Sequence, residues 1–456
     1  MRHLPTAARP LPALADSARL RYVTFVLLYV AQGVPGGVAF GAIPAWLAMN
    51  GKTPAEIAGY LAVATLPASF KILFAPLVER FTYLPMGRRR PWLLVGQVGL
   101  TLSFAGLAFV PDPLHNLPWL TALSFAGLAF SMLQDVATDS LAIDIIPAEQ
   151  QGQANSLMWG AKAIGNSAAL AAGSLLINTY GLAVAVLLIA GLVLLILPVP
   201  LLLRERAGEK LLPWTAGAPA PESRRLRATG WAPLLRATWR VLLLPNSLRL
   251  ALALFTAMVG VGYAGTALPI FLIQKLHWTN VAYAEIGATA GLVAGAAGML
   301  VGGLLSRRLG VVRLGQGSLL GFAGLMVVLG SGAAWWGHTS VVVGLLGGLT
   351  LMAVFSNIGN LALAMQCCWA RVSAVQFTLY MALLNTGDTA GTALLGVVRS
   401  RYSWEVTFWL VPALVLVPVA LLQSIGLPAH ARQVAALETE HLDREAAAAA
   451  VVPVMA

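Results

Sequence analysis

Five ionisable residues sit inside long apolar runs: Lys71, Asp135, Asp139, Lys162 and Asp388. A charge at the centre of a hydrocarbon layer costs at least ~2.5–3.5 kcal/mol, so each needs a partner or a task. Lys71 lies eight residues before Glu79, Asp139 eight before Pro147, and Lys162 nine after Gln153, where its run begins. At ~1.5 Å per residue all three come to ~12–14 Å from one interface. Asp135 precedes Asp139 by four residues, so both carboxylates share a helix face, with Asp135 ~6 Å deeper. Two acids and two bases in one layer can neutralise one another as a structural knot. They can also exchange protons and partners as a solute enters. Depth divides them: Lys71 and Asp139 read as a structural pair, Asp135 and Lys162 as working groups. Asp388 stands beside Asn385 and Thr386 with no basic partner at its depth, so it is either protonated or facing a water-filled cavity. Asp135 and Asp388 are therefore the candidate proton-coupling groups. Lys71, Gln134, Asp139, Lys162 and Asn385 form the candidate polar layer for a solute. Asp144, nine residues from Asp135 and half a turn out of phase, reads as a solvated helix end.

A second cluster lies at a helix end, in ERFTYLPMGRRRP from Glu79 to Pro91. An acid and a base at the helix end are followed by a glycine and three arginines: Glu79, Arg80, Gly87, Arg88, Arg89 and Arg90. Simple charge bias would explain the arginines but not Glu79. In the first apolar run QGVPGG, from Gln32 to Gly37, could unwind beside a cavity, which makes Gln32, Gly33 and Pro35 candidate lining residues. Gly287, Gly291 and Gly295 form a ladder of small residues suited to close helix packing.

The elements that must position these groups are apolar helices. Hydrophobic residues make up 58% of the 456-residue chain and charged ones 10%, against roughly 25% charged in soluble domains. Spans read as roughly 22–49, 56–79, 91–110, 118–146, 153–178, 181–203, 247–275, 281–306, 314–334, 339–366, 373–399 and 403–425, each near the ~20 residues a crossing needs. The expected organisation is an N-terminal tail over 1–21, six spans over 22–203, a solvated linker over 204–246, six spans over 247–425, and a frayed or disordered C-terminal tail over 426–456. The first run is retained as a span, since it is too long for a cleaved leader. Of the 29 lysines and arginines, 23 fall on one side if the N-terminus is cytoplasmic, so both tails and the linker are expected there. The halves repeat one another: QANSLMWGAKAIGN (Gln153 to Asn166) aligns with VQFTLYMALLNTGD (Val375 to Asp388), and Gly37 and Pro44 with Gly262 and Pro269.

FKILFAPLVERF (Phe70 to Phe81), GRRRPWLL (Gly87 to Leu94) and QDVATDSLAIDIIP (Gln134 to Pro147) together resemble one branch of the major facilitator superfamily, that of muropeptide permeases, acetyl-CoA transporters and related siderophore permeases. Lys71, Glu79, Arg80, Gln134, Asp135, Asp139 and Lys162 fall on positions that the branch marks. In the superfamily this loop latches the two halves on the cytoplasmic side, so the resemblance implies Glu79, Arg80, Gly87, Arg88, Arg89 and Arg90 as a cytoplasmic gate. Glu79 stands where the superfamily usually has Asp, six residues separate Arg80 from Gly87 where one is usual, and Lys162 stands where muropeptide permeases tend to have arginine. The likeness is concentrated in the first half, to about Asn166. It implies an all-α integral membrane protein of twelve transmembrane helices, two six-helix halves with pseudo-two-fold symmetry and a site between them near mid-membrane. It also implies proton-driven uptake of a muropeptide-, siderophore- or acyl-CoA-like solute by alternating access, and efflux of a drug or metabolite is the alternative.

Other classes fit less well. The six histidines lie in loops or tails without metal spacing, so no metal, no cofactor and no membrane-enzyme chemistry is expected. The net charge of +11 is topological and implies no nucleic acid. Cys367 and Cys368 read as small packing residues. The expected partners are a small-molecule solute, protons and membrane lipid, for a functional monomer in the plasma membrane, or the inner membrane of a bacterium.

Overall fold

The computed structural model describes residues 13–228 and 230–451. Arg2, Arg9 and His3, which the topology reading places in the N-terminal tail, lie outside the described residues. Among those described there are helices and connections but no strand. Among the described residues nine helical runs are long and apolar enough to cross a membrane. One of them, Ala148–Leu202, holds two helices, because Gly181 takes φ +80° and breaks the run between the expected fifth and sixth spans. With the more polar helices Arg90–Leu107 and Ser373–Arg399, the set is consistent with twelve spans. The described chain divides into two compact units: the first takes residues 13–228 with Gly295–Gly303, the second the remainder.

In the first unit α1 (Ala18–Gly37) begins at Ser17, whose hydroxyl accepts the Leu20 N–H and satisfies one orphan donor of the first turn. The expected unwinding of Gln32–Gly37 does not occur. The chain stays helical past Pro35 and then widens into a π turn over Val38–Ala42. Pro44 has no N–H to bond the Phe40 carbonyl, which accounts for the loosened ladder just before it. α2 (Lys71–Arg80) is the last piece of a broken span, preceded by Pro54–Ala64 and Leu66–Ser69. Pro67 withholds the N–H that the Val63 carbonyl would accept. Lys71 thus opens a helix directly after the interruption at Phe70. Then come α3 (Arg90–Leu107), α4 (Leu117–Ile145) and α5 (Ala148–Leu194). The glycines of α1 serve close packing on α5: a Cβ at Gly33 would lie 2.5 Å from the Lys162 carbonyl oxygen, and one at Gly165 would overlap the Val30 carbonyl.

The second unit holds α6 (Trp231–Leu242), α7 (Pro245–Ile270), α8 (Asn280–Ala297, its last residues clustering with the first unit), α9 (Val311–Ser331), α10 (Thr339–Gln366), α11 (Ser373–Arg399), α12 (Trp404–Gln423) and α13 (Leu427–Val451). α7 and α11 repeat the α1–α5 contact, with Gly387 against the Phe255 carbonyl. A π turn over Phe271–Lys275 follows Pro269 as one follows Gly37. Phe271 anchors an aromatic knot, with ring centroids 4.8 Å from Trp336 and 4.9 Å from Phe408, both edge-on. Each such pair adds ~0.5–1.5 kcal/mol beyond its burial.

Two expectations are corrected. Gly287 and Gly291 are not packing positions, since a Cβ at either meets nothing within 4 Å, and of the ladder only Gly295 touches a neighbour, Ala163. Over its described residues the tail is helical rather than frayed: α13 is tied down by Glu438, which accepts from Trp369 Nε1 at 2.7 Å and pairs with Arg371 at 3.0 Å.

Candidate functional site

α4 carries Asp135 and Asp139 on one buried face. Lys71, at the start of α2, donates to Asp135 Oδ2 and lies 3.5 Å from Asp139 Oδ2. The expected Lys71–Asp139 pair is present, but the Lys71 ammonium lies closer to Asp135 and is shared between the two carboxylates. Asp139 takes its short hydrogen bond from the Tyr29 hydroxyl of α1, a partner that sequence reading missed. Lys162 approaches the other oxygen of Asp135 at 3.6 Å, and its ammonium sits 5.4 Å from the Trp159 ring and 5.8 Å from that of Tyr29. Asp135 is therefore shared between two lysines. The Lys162 side chain remains 26% exposed within this unit, while those of Lys71, Asp135 and Asp139 are at most 9%.

The other candidates divide. Gln32 reaches the edge of the cluster, its amide 3.4 Å from Thr138 Oγ1. Gly33 allows α1 to touch the Lys162 backbone, and Pro35 is buried in packing. Gln134 is turned away from the carboxylates: it donates to Gln97 Oε1 at 2.5 Å, and Gln97 in turn donates to the Val193 carbonyl at 2.7 Å. It couples α3, α4 and the limb of α5 after Gly181 rather than joining the charge layer. Asp388 belongs to the second unit, exposed there along with Asn385, and no ion pair to it is found among the described residues. It presses on α7, where a Cβ at Gly262 would come 2.5 Å from its Oδ1.

The loop cluster is more tightly built than its sequence suggests. Glu79 accepts from Arg88 at 2.9 Å and Arg89 at 2.5 Å, and Asp144 accepts from the same two guanidiniums at 2.9 and 3.2 Å. All four side chains are buried, so Asp144 is not a solvated helix end. Arg80 lies 5.6 Å over the Phe81 ring. Glu205 caps α3, accepting the backbone N–H groups of Arg88 at 2.9 Å, Arg89 at 2.7 Å and Arg90. A carboxylate there meets the positive end of the helix dipole. Gly87, at φ +105°, leaves room for it, because a Cβ would lie 2.6 Å from Glu205 Oε1. Arg90 points the other way and donates to the Pro200, Leu201, Lys210 and Leu211 carbonyls, closing the C-terminal end of Pro198–Leu202. The linker is thus packed rather than solvated where it leaves the first half. Glu209 there accepts from Ser223 Oγ at 2.9 Å. Burial, and then the neighbouring Glu205, push its carboxyl up to about 7.

The profile of the Major Facilitator Superfamily matches residues 25–366. The chain belongs to that superfamily. The anhydromuropeptide permease of Escherichia coli K12 is 26% identical over 419 residues, covering 88% of this chain and 79% of the permease. An uncharacterized membrane protein of Saccharomyces cerevisiae is 32% identical over 166 residues, 32% of this chain and 30% of that one. Among solved structures, FucP in its outward conformation superposes with a TM-score of 0.66 at 13% identity, over 89% of this chain and 98% of that one. The human organic anion transporter MFSD10 superposes at 0.61 and 16%, with the same coverage. These structures establish the fold.

This major facilitator is therefore a multi-pass membrane transporter that moves a solute by secondary transport. Three polar groups prove structural or site-forming beyond the sequence reading: Asp144, there read as a solvated helix end, and Tyr29 and Glu205, which it left unassigned. The last had a legible signal, as an acid in an otherwise basic segment at the end of the sixth span.

Proposed function

We propose that this chain couples uptake of a muropeptide-like solute to proton entry, with Asp135 as the coupling carboxylate. The sharing of Asp135 between Lys71 and Lys162 is the observation that supports this reading. Two carboxylates and two ammoniums balance to zero. A proton added to Asp135 leaves one ammonium in excess, and Lys162 is the more exposed and more loosely held of the two. An anionic group of the solute restores the balance there. Proton and anion then each favour binding of the other, and the linkage is reciprocal. Return of Asp135 to the carboxylate state draws Lys162 back and releases the solute. Asp139, held by Tyr29 and Lys71, keeps the layer in place. Glu79 with Arg88 and Arg89, which are held between it and Asp144, acts in this reading as the cytoplasmic gate, with Gly87, Arg90 and Arg80 shaping the loop.

The test is uptake of anhydromuropeptide into proteoliposomes under an imposed proton gradient. Asp135→Asn should abolish accumulation while counterflow exchange persists. Continued accumulation by that variant would remove Asp135 from the role and leave Asp388 as the next residue to examine.

A further inference from the structure

The helix α6 between the two six-span sets is apolar on two separate faces. Leu234, Ala237, Thr238 and Val241 are buried against the second unit. A different stripe is left open: Trp231, Leu235 at 58% exposure, Trp239 at 65%, and Leu243 just past the end. At about 100° per residue the open stripe covers an arc of about 120°, the buried face an arc of about 100° beside it, and Arg236 and Arg240 fill the remainder. Arg240 is paired with Glu440 of α13, which fixes how the helix is turned on its unit. Leu248 and Leu252, both half exposed at the start of α7, continue the open stripe into a membrane-crossing helix. Five arginines (Arg224, Arg225, Arg227, Arg236 and Arg240) fall between residues 222 and 240, against the single acid Glu222.

We infer that α6 lies in the plane of the membrane interface and docks on an anionic phospholipid leaflet. Trp231, Leu235 and Trp239 enter the acyl boundary, and Arg236 stands at headgroup level. Two tryptophans a double turn apart suit that depth, since an indole has an apolar body and one N–H that needs a wet partner. An apolar stripe flanked by arginines and leading into a span matches a surface whose interior is hydrocarbon and whose rim carries phosphate. A water-facing linker helix would leave this stripe exposed at a free-energy cost with nothing to offset it.

The experiment uses the full chain in nanodiscs, with Cys367→Ala and Cys368→Ala and a nitroxide placed by Trp239→Cys or, separately, by Arg236→Cys. The label at 239 should be relaxed by oxygen and shielded from a water-soluble relaxant, and the label at 236 should show the reverse. In addition, Arg236→Gln should lower the preference for phosphatidylglycerol over phosphatidylcholine among co-purified lipids by about fivefold, from ~1 kcal/mol per arginine near a charged surface. A label at 239 open to the water-soluble relaxant would overturn the proposal. So would one shielded from both relaxants in a preparation that sediments as a dimer, which would assign the stripe to a second copy. An unchanged lipid preference in Arg236→Gln would overturn the anionic part on its own.

Discussion

Replacing Lys71 by methionine would leave the Asp135 and Asp139 carboxylates facing one another in the protein interior, with Lys162 3.6 Å from one of them. Removing one partner of a buried ion pair costs about 3–5 kcal/mol, because the remaining charge is uncompensated. Lys71→Met should therefore lower the thermal midpoint in detergent well below that of Asp139→Asn, in which Lys71 keeps Asp135. Lys71→Met with Asp135→Asn should recover most of the loss, whereas additive losses would mean that this pairing does not hold the layer. The existence of this layer was legible, since isolated charges in apolar runs must meet. Its pairing was not. Depth along a helix ranks the charges but does not say which carboxylate an ammonium reaches, and Asp135 and Asp139 lie four residues apart on one face, where Lys71 meets both. Asp144 was misread as a solvated helix end for another reason. Nine residues turn it to the face of α4 opposite Asp135, and that face is also buried, under the arginines of the loop between α2 and α3.

Helix contacts make a sharper distinction than glycine content does. Gly165→Ala would force α5 off the Val30 carbonyl of α1, and such backbone contacts have no flexible atom to yield. Loss of yield and of thermal stability is expected there, while Gly287→Ala, meeting nothing within 4 Å, should stay within about 0.5 kcal/mol of the parent. Comparable losses at both positions would mean that α8 packs differently. Sequence periodicity cannot separate these cases, because a small-residue ladder looks the same whether a neighbour is present or not. The linker was illegible for a similar reason: basic, proline-containing sequence reads as solvated, yet Glu205 and Glu209 are buried by the loop they cap. A titration follows from that burial. Glu209 ordinarily ionises near 4.5 and is raised to about 7 in the fold. The folded state thus binds more protons than the unfolded state between those values. Stability from this group is present below about 4.5 and is lost as pH rises through about 7. Thermal midpoints should fall across that window in the parent, and the slope should flatten in Glu209→Gln. An unchanged slope would place Glu209 in water.

Over the whole molecule, the repeat is what sequence conveys best, because equivalent halves must bury equivalent helix faces. Asn166 and Asp388, 222 residues apart, each press on a glycine-bearing face of the first helix of their half: Asn166 on Gly36 of α1, Asp388 on Gly262 of α7. Topology is the property that this repeat leaves to experiment, and parity makes it testable. Five crossings separate Asn50 from Ala216 in a twelve-span chain, and six separate Ala216 from Asp443. An odd number puts the first pair on opposite sides of the membrane, and an even number puts the second pair on the same side. All three residues are exposed, unlike Ser223, which is buried on Glu209 and would be a poor probe. Single cysteines at these positions, in a background of Cys367→Ala and Cys368→Ala, should be labelled by an impermeant maleimide at 50 alone in intact cells, and at 216 and 443 only after permeabilisation. Any one helix among these crossings that failed to cross would flip the parity of one pair. Labelling of 50 and 216 from the same side, or of 216 and 443 from opposite sides, would therefore show that the chain does not cross twelve times.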